Sequence, residues 1–187
     1  MLLLNNDVIL PENFLAEIVQ SYMALSATHP CHPLAISGTE RGSDGRFHHH
    51  GIYHLNIPTG LVSAIPVFPS FRYISGACLF LPADAPFMDD GYFLYYDDVE
   101  YSKILLRNNF HLDYSEKAVF FHEVGATTRQ NPQLYKIIFS SMKRFYMKHY
   151  PAAYPFVILF RVILDLVRGR PAIALEIFRS AFRDQGS

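Results

Sequence analysis

The stretch Phe93-Leu94-Tyr95-Tyr96-Asp97-Asp98-Val99-Glu100 constrains this chain more than any other, because a bulky apolar run breaks into three acids within four residues. Carboxylates set against apolar neighbours need water, a cation or hydrogen-bond donors, since burying a lone charge is costly. A helical period follows at once: Tyr101, Ile104 and Leu105 share a face, and Asn108-Asn109 ends it. The acids therefore sit where a buried segment meets a helix N-terminus, a place suited to metal, phosphate or a reacting hydroxyl. The competing reading is structural, with Asp97 or Asp98 as an N-cap and Glu100 complementing the helix dipole.

Half of the 187 residues are hydrophobic and 15% are aromatic, enough for a real core and for one domain with an appendage. Charge marks the division. Residues 1–133 carry 7 Lys/Arg against 14 Asp/Glu, whereas residues 134–187 carry 9 against 3. A basic tail on an acidic body suggests an anionic partner surface, a phospholipid leaflet being the usual one. Nucleic acid is disfavoured, because no basic stripe is interleaved with the aromatic segments of the body. Cys31 and Cys78 lie far apart and form no metal or redox spacing, which suits a reduced, cytoplasmic setting. The start Met1-Leu2-Leu3-Leu4 lacks a basic leader, so no secretory signal is expected. The longest apolar stretch, 156–167, is broken by Arg161 and Asp165 and is too short to span a bilayer. The expectation is a soluble chain or one peripheral to the inner face of the cell membrane.

Residues 1–4 read as a buried strand ending at Asn5-Asn6-Asp7, and Pro11 as the first position of a helix carrying Phe14, Leu15, Ile18, Val19 and Tyr22. From Cys31 to about Arg72 the chain is rich in Gly, Pro, Ser and His, which predicts loops and short strands. Ser75-Gly76-Ala77 predicts a turn before a strand at 78–81, and another strand at 118–121 ends in His122. Strands separated by helices indicate an α/β fold with a mainly parallel sheet. Beyond Leu134 the chain reads as helical, broken at Pro151 and at Gly169-Arg170-Pro171. Arg161, Asp165, Arg168, Ala172, Glu176, Arg179 and Arg183 form one polar stripe opposite Phe, Val, Ile and Leu. Packing against the body or a second subunit, and binding to a membrane surface, are the two readings of that amphipathicity.

Asp7, Asp97-Asp98 and His122 all fall at the carboxyl ends of predicted strands, the edge where open α/β sheets bind ligands. In that order the residues resemble the family-2 glycosyltransferases of GT-A fold, especially the rhamnosyltransferase-like branch. Leu2-Leu3-Leu4-Asn5-Asn6-Asp7-Val8 looks like that family's strand with the abbreviated DxD metal motif. Gly76-Ala77-Cys78-Leu79-Phe80-Leu81 resembles its segment ahead of the acceptor site. Residues 88–102, from Met88-Asp89-Asp90-Gly91 through Asp97-Asp98-Val99-Glu100-Tyr101-Ser102, are similar to its "FDExFFLYYEDVDLS" signature. Phe121-His122-Glu123-Val124-Gly125 matches its strand-ending histidine, and the resemblance covers roughly residues 1–150.

The resemblance implies a partial GT-A mixed sheet with flanking helices and an inverting, metal-dependent sugar transfer from a nucleotide-diphosphate donor. The acceptor would be a glycan or lipid-linked glycan, in cell-surface polysaccharide synthesis. It places the base at Asp98, with Asp97 orienting it, and the acceptor against Gly76, Ala77, Asp90 and Tyr95. Asp7 and His122 would hold Mg²⁺ or Mn²⁺, and Asn5 would face the donor. The sequence departs from the family pattern in several places. It begins at the metal strand, without the strands that bind base and ribose; the segment between Leu81 and Met88 is short and lacks a Gly-Gly turn. Glu100 and Ile104 replace Asp and Arg, and Asp90 replaces Glu. This polypeptide alone is therefore expected to have little or no transferase activity, and a non-catalytic module that docks on a membrane or a partner is the alternative.

Outside those motifs, His48-His49-His50 with His54 raises a metal-dependent hydrolase as a further reading. Adjacent histidines diverge in direction, however, and Gly45 and Gly51 suggest an exposed loop. Of Tyr92, Phe93, Tyr95 and Tyr96, core packing is expected to take at least two, leaving the others to stack on a sugar.

Overall fold

A computed structural model describes residues 1–92, 94–122 and 133–182. It is a mixed α/β fold with a mixed sheet and, among the described residues, five helices. The strands are β1 (Leu2–Leu4), β2 (Val8–Ile9), β3 (Leu34–Arg41), β4 (Phe47–His49), β5 (Ile52–Asn56), β6 (Val62–Ser63), β7 (Ser70–Ile74), β8 (Cys78–Phe80) and β9 (His111–His122). The helices are α1 (Phe14–Thr28), α2 (Asp97–Arg107), α3 (Gln133–His149), α4 (Tyr154–Val167) and α5 (Pro171–Phe182). The main sheet runs β1-β8-β3-β9-β2, with β4 on the end of β3, and β6-β5-β7 form a small second sheet.

Only β3 and β9 run parallel among these pairs, so the expected mainly parallel sheet is not what forms. The antiparallel partners, β1 with β8, β8 with β3 and β2 with β9, come from distant parts of the chain, so the sheet is mixed through pairs that are not hairpins. β3 is the centre of the structure and lies within the segment expected to hold loops and short strands. It is buried from Leu34 to Glu40 and carries Ser37, Gly38 and Thr39 inside, so neither alternation nor an unbroken apolar run announces it. A Cβ at Gly38 would collide with the Ala118 carbonyl oxygen, where the β3–β9 register shifts between Ser37 and Thr39. Gly38 is thus the residue that lets the two central strands approach.

β1 is a half-buried edge strand with Leu4 exposed, not a buried one. α1 begins three residues after Pro11 and turns Phe14 and Ile18 into the core against Ala118 and Phe120, while Leu15 and Val19 face solvent. The C-terminal helices are anchored in an aromatic-rich cluster in which Phe139, Phe145, Tyr146, Val157 and Ile177 meet Leu55, Tyr73 and Val99 of the body. That cluster draws on both sides of the boundary near residue 133.

A buried charge fixes α3 to α2. Glu100, 1% exposed, meets Lys148 Nζ at 2.7 Å and His149 Nε2 at 2.6 Å, and Tyr92 Oη donates to it at 3.3 Å. Burial pushes the Glu100 carboxyl up, but Lys148 and His149 outweigh it and hold it below the usual carboxylate range. Burial keeps the His149 pKa low despite Glu100, so a neutral ring donates from Nε2 and takes the Arg107 guanidinium contact on Nδ1. Glu100→Gln, which keeps the shape and removes the charge, is expected to cost about 2 kcal/mol in urea unfolding.

Candidate functional site

The register of β2 sets the first half of the site. Val8 pairs with His122 across the β2–β9 ladder, which brings Asp7 beside the last residue of β9. His122 Nε2 lies 3.3 Å from Asp7 Oδ1, and Nδ1 lies 3.3 Å from Glu40 Oε1. Glu40 comes from the end of β3, one rung from the end of its parallel pairing with β9. It is 1% exposed, and its other oxygen lies 3.0 Å from His49 Nε2. His49 accepts the Gly51 N–H on Nδ1 at 2.8 Å, so its proton sits on Nε2, facing Glu40. Burial pushes the Glu40 carboxyl up, but His122 and His49 more than offset this and hold it at about 2. Glu40 in turn raises the His122 imidazole above its ordinary value, against burial. Glu40 Oε1, His122 Nδ1 and His49 Nε2 are nonetheless buried without an aligned hydrogen bond, leaving ion-pair distance rather than hydrogen-bond geometry.

The second half is the start of α2. Tyr95 and Tyr96 both have φ of 62°, a left-handed conformation that costs a non-glycine residue of order 1 kcal/mol each. Packing holds Tyr96 there, since its ring lies 5.5 Å from Phe145 and 6.5 Å from Tyr146. The N-cap is Tyr96, with no side-chain cap, so neither acid takes the N-cap role of the structural reading. Asp98 instead turns back towards Gly76. Its Oδ1 accepts the Val99 N–H at 2.8 Å, and the Gly76 N–H also favours the charged form. Burial and then Asp97 dominate, and the Asp98 carboxyl is pushed up to about 7. A Cβ at Gly76 would lie 3.2 Å from Asp98 Cβ, so glycine lets this turn close on the acid.

The two halves face one cleft of about 600 Å³. Asn5, Asp7, Gly76, Ala77, Tyr95, Asp97, Asp98 and His122 line it, as do Glu40, Tyr53, Tyr73 and Ser75. Asn5 is positioned by its backbone N–H, which donates to the Ala77 carbonyl at 3.0 Å and joins the turn after β1 to the Gly76-Ala77 turn before β8. Asp90 is the one sequence candidate that is not brought there: it is exposed, and its neighbour Asp89 pairs with Lys148 at 2.8 Å. Of the aromatic quartet, Tyr92 and Tyr96 join the core, Tyr95 lines the cleft and Phe93 lies outside the described residues. So do Glu123, Val124 and Gly125 of the histidine motif.

His48 and His49 belong to strand β4, where His48 is exposed, and His50 follows it. His49 is buried against Glu40, while His50 turns the other way, stacks on Tyr114 at 4.7 Å and meets Thr39 Oγ1 at 3.0 Å. Among the described residues no group of three or more His, Cys, Asp or Glu is placed to hold a metal ion. Asp7 and His122 stand as a pair, 3.3 Å apart between Oδ1 and Nε2.

Glu40, Tyr53 and Tyr73 are the site residues that the sequence reading missed. Tyr53 spans the halves, its ring 4.0 Å from His49 and 5.6 Å from Tyr73. Burial, followed by the charges of Glu40 and Asp98, raises its phenol pKa, so it stays protonated. The one sequence signal for Glu40 was the step from Leu34-Ala35-Ile36 through three small residues to Glu40-Arg41. No family model, no curated protein and no solved structure matches this chain.

Proposed function

We propose that this cleft is the metal and acceptor side of a nucleotide-sugar glycosyltransferase of GT-A type, working with inversion at the anomeric carbon. The observation that carries this reading is the convergence of Asp7, His122 and Asp98 on one cleft, with the Asp98 carboxyl pushed up to about 7. A base poised near neutrality both holds a fraction of charge and accepts a proton with useful driving force. Asp98 would take the proton from an acceptor hydroxyl as its oxygen attacks the donor sugar. The neighbouring charge of Asp97 strengthens that basicity. Tyr53, Tyr73 and Tyr95 offer ring faces and hydroxyls to a glycan or lipid-linked acceptor. The backbone N–H groups of Gly76 and Val99 hold the base in place.

Asp7 and His122 would hold the cation, and Glu40 would act as the carboxylate that orients the imidazole from behind, its Nε2 turned towards Asp7. Mg²⁺ or Mn²⁺ there supplies positive charge for the departing diphosphate. Manganese titration followed by electron paramagnetic resonance, with and without a nucleoside diphosphate, tests this half. Binding should tighten with the nucleotide, vanish in Asp7→Ala and His122→Ala, and weaken about tenfold in Glu40→Gln. Undiminished binding in the first two variants would remove the cation from this site. In a form joined to the strands that bind base and ribose, release of nucleoside diphosphate from a panel of nucleotide-sugars with glycan acceptors, lost in Asp98→Asn, tests the other half.

A further inference from the structure

α4 and α5 pack against each other, yet each turns an apolar face to solvent. On α4, Phe156, Leu159, Ile163, Leu166 and Val167 are exposed, Val167 at 81%. On α5, Leu175, Phe178 and Phe182 are exposed, Phe182 at 72%. The spacing is helical on both, so each set forms a face and not a scatter. The expected polar stripe is only partly outside. Asp165 is buried and Arg161 and Glu176 are half-buried, while Arg168 and Arg179 remain outside; Arg183 lies beyond the described residues.

The charges that stay outside share one sign. Arg168, Arg170 and Arg179 are exposed, and no carboxylate of residues 154–182 is, because Asp165 is buried and Glu176 is half-buried. No helix of the described residues is long and apolar enough to cross a membrane. α4 has 14 residues, about 21 Å at 1.5 Å per residue, and a bilayer core is about 30 Å thick. Short helices with aromatic and aliphatic side chains outward, edged by arginines, have the chemistry of elements that lie in the headgroup layer.

We infer that the outer faces of α4 and α5 dock this protein on an anionic phospholipid bilayer, lying in the interface plane. The inference goes beyond the sugar-transfer reading and does not depend on it. Apolar side chains enter the acyl boundary and Arg168, Arg170 and Arg179 meet phosphate headgroups. These faces meeting themselves in a second copy would set arginine against arginine, because neither helix exposes a carboxylate within residues 154–182.

The test is flotation of the whole chain with vesicles of phosphatidylcholine alone and of phosphatidylcholine mixed with phosphatidylglycerol. Binding to the mixed vesicles should be at least tenfold stronger, since each arginine contributes roughly fivefold near an anionic surface. Leu159→Ser with Phe178→Ser should weaken that binding roughly tenfold or more. These side chains are exposed, so far-UV circular dichroism and the unfolding midpoint should stay as in the wild type. Arg168→Glu with Arg170→Glu should abolish the preference for the anionic lipid and leave the fold intact. Absence of flotation with either vesicle would overturn the inference. So would a concentration-dependent dimer, seen by light scattering, that the Leu159/Phe178 variant dissolves. Lipid binding does not draw on the cleft, so its failure would leave the sugar-transfer reading standing.

Discussion

Asp98→Asn is expected to make the protein more stable at pH 8 while removing the base of the proposed sugar transfer. The folded state holds the Asp98 proton up to about pH 7, against an ordinary value of 3.8, because burial and Asp97 disfavour the charge. Between those two pH values the folded chain binds more protons than the unfolded one, so stability falls as pH rises and levels off above about 7. Below about pH 4 both forms are protonated and the substitution should be nearly neutral. At pH 8 the wild type carries a disfavoured carboxylate, softened by the Val99 and Gly76 N–H groups and by solvent in the cleft. Replacing it should gain roughly 1–2 kcal/mol, less than the full pKa displacement implies because the cleft is open to water. Urea unfolding of both proteins at pH 4 and pH 8 isolates the effect as a difference of differences. In a form that transfers sugar, the same variant should lose roughly 10²–10⁴ of the rate. The wild-type rate should rise through pH 7 as Asp98 gives up its proton. A variant with unchanged turnover would remove Asp98 as the base, and one with unchanged pH dependence of stability would remove the poised carboxyl.

Opposite results in stability and activity are what a strained site should give, and the sequence carried part of that strain visibly. The aromatic run ending in acids marked the start of α2, and Asn5-Asn6-Asp7 and His122 marked two strand ends, because local chemistry changes abruptly at each. All three reach the cleft. What the sequence concealed depends on tertiary burial. β3 is invisible to periodicity, since a strand covered on both faces and carrying Ser37, Gly38, Thr39 and Glu40 has no alternating signature. The direction of the sheet was hidden because its antiparallel partners, β1 with β8, β8 with β3 and β2 with β9, are distant in sequence and no hairpin signal joins them. The polar stripe of α4 and α5 misled because Asp165 is a buried polar residue, which simple amphipathic patterning assigns to water. Tyr95 and Tyr96 adopt a left-handed backbone that no local residue preference announces, and Tyr96 packs there against the Phe145 and Tyr146 rings.

Glu40→Ala should be the most damaging single change, costing about 3 kcal/mol and emptying the centre of the site. The reasoning starts from position. Glu40 ends the buried part of β3, and its two oxygens meet His122 at 3.3 Å and His49 at 3.0 Å from two different strands, β9 and β4. Removing one member of a buried ionic group leaves its partners desolvated with nothing in exchange, which outweighs the loss of the contact itself. For a chain of this size the melting temperature should fall by roughly 6–12 °C. Glu40→Gln separates charge from volume. The amide fills the space and can accept one N–H, so about half the stability should return, yet His122 loses the negative charge behind its Nδ1. Imidazole ¹⁵N chemical shifts report that change directly. In the wild type both His122 nitrogens face carboxylates, Nδ1 towards Glu40 and Nε2 towards Asp7, and the ring should show imidazolium shifts at a pH where an isolated histidine is neutral. In Glu40→Gln those shifts should revert to a single neutral tautomer at the same pH. A Gln variant that keeps the imidazolium shifts would mean that Asp7 alone charges the ring, and Glu40 would then be a packing residue with no part in orienting His122.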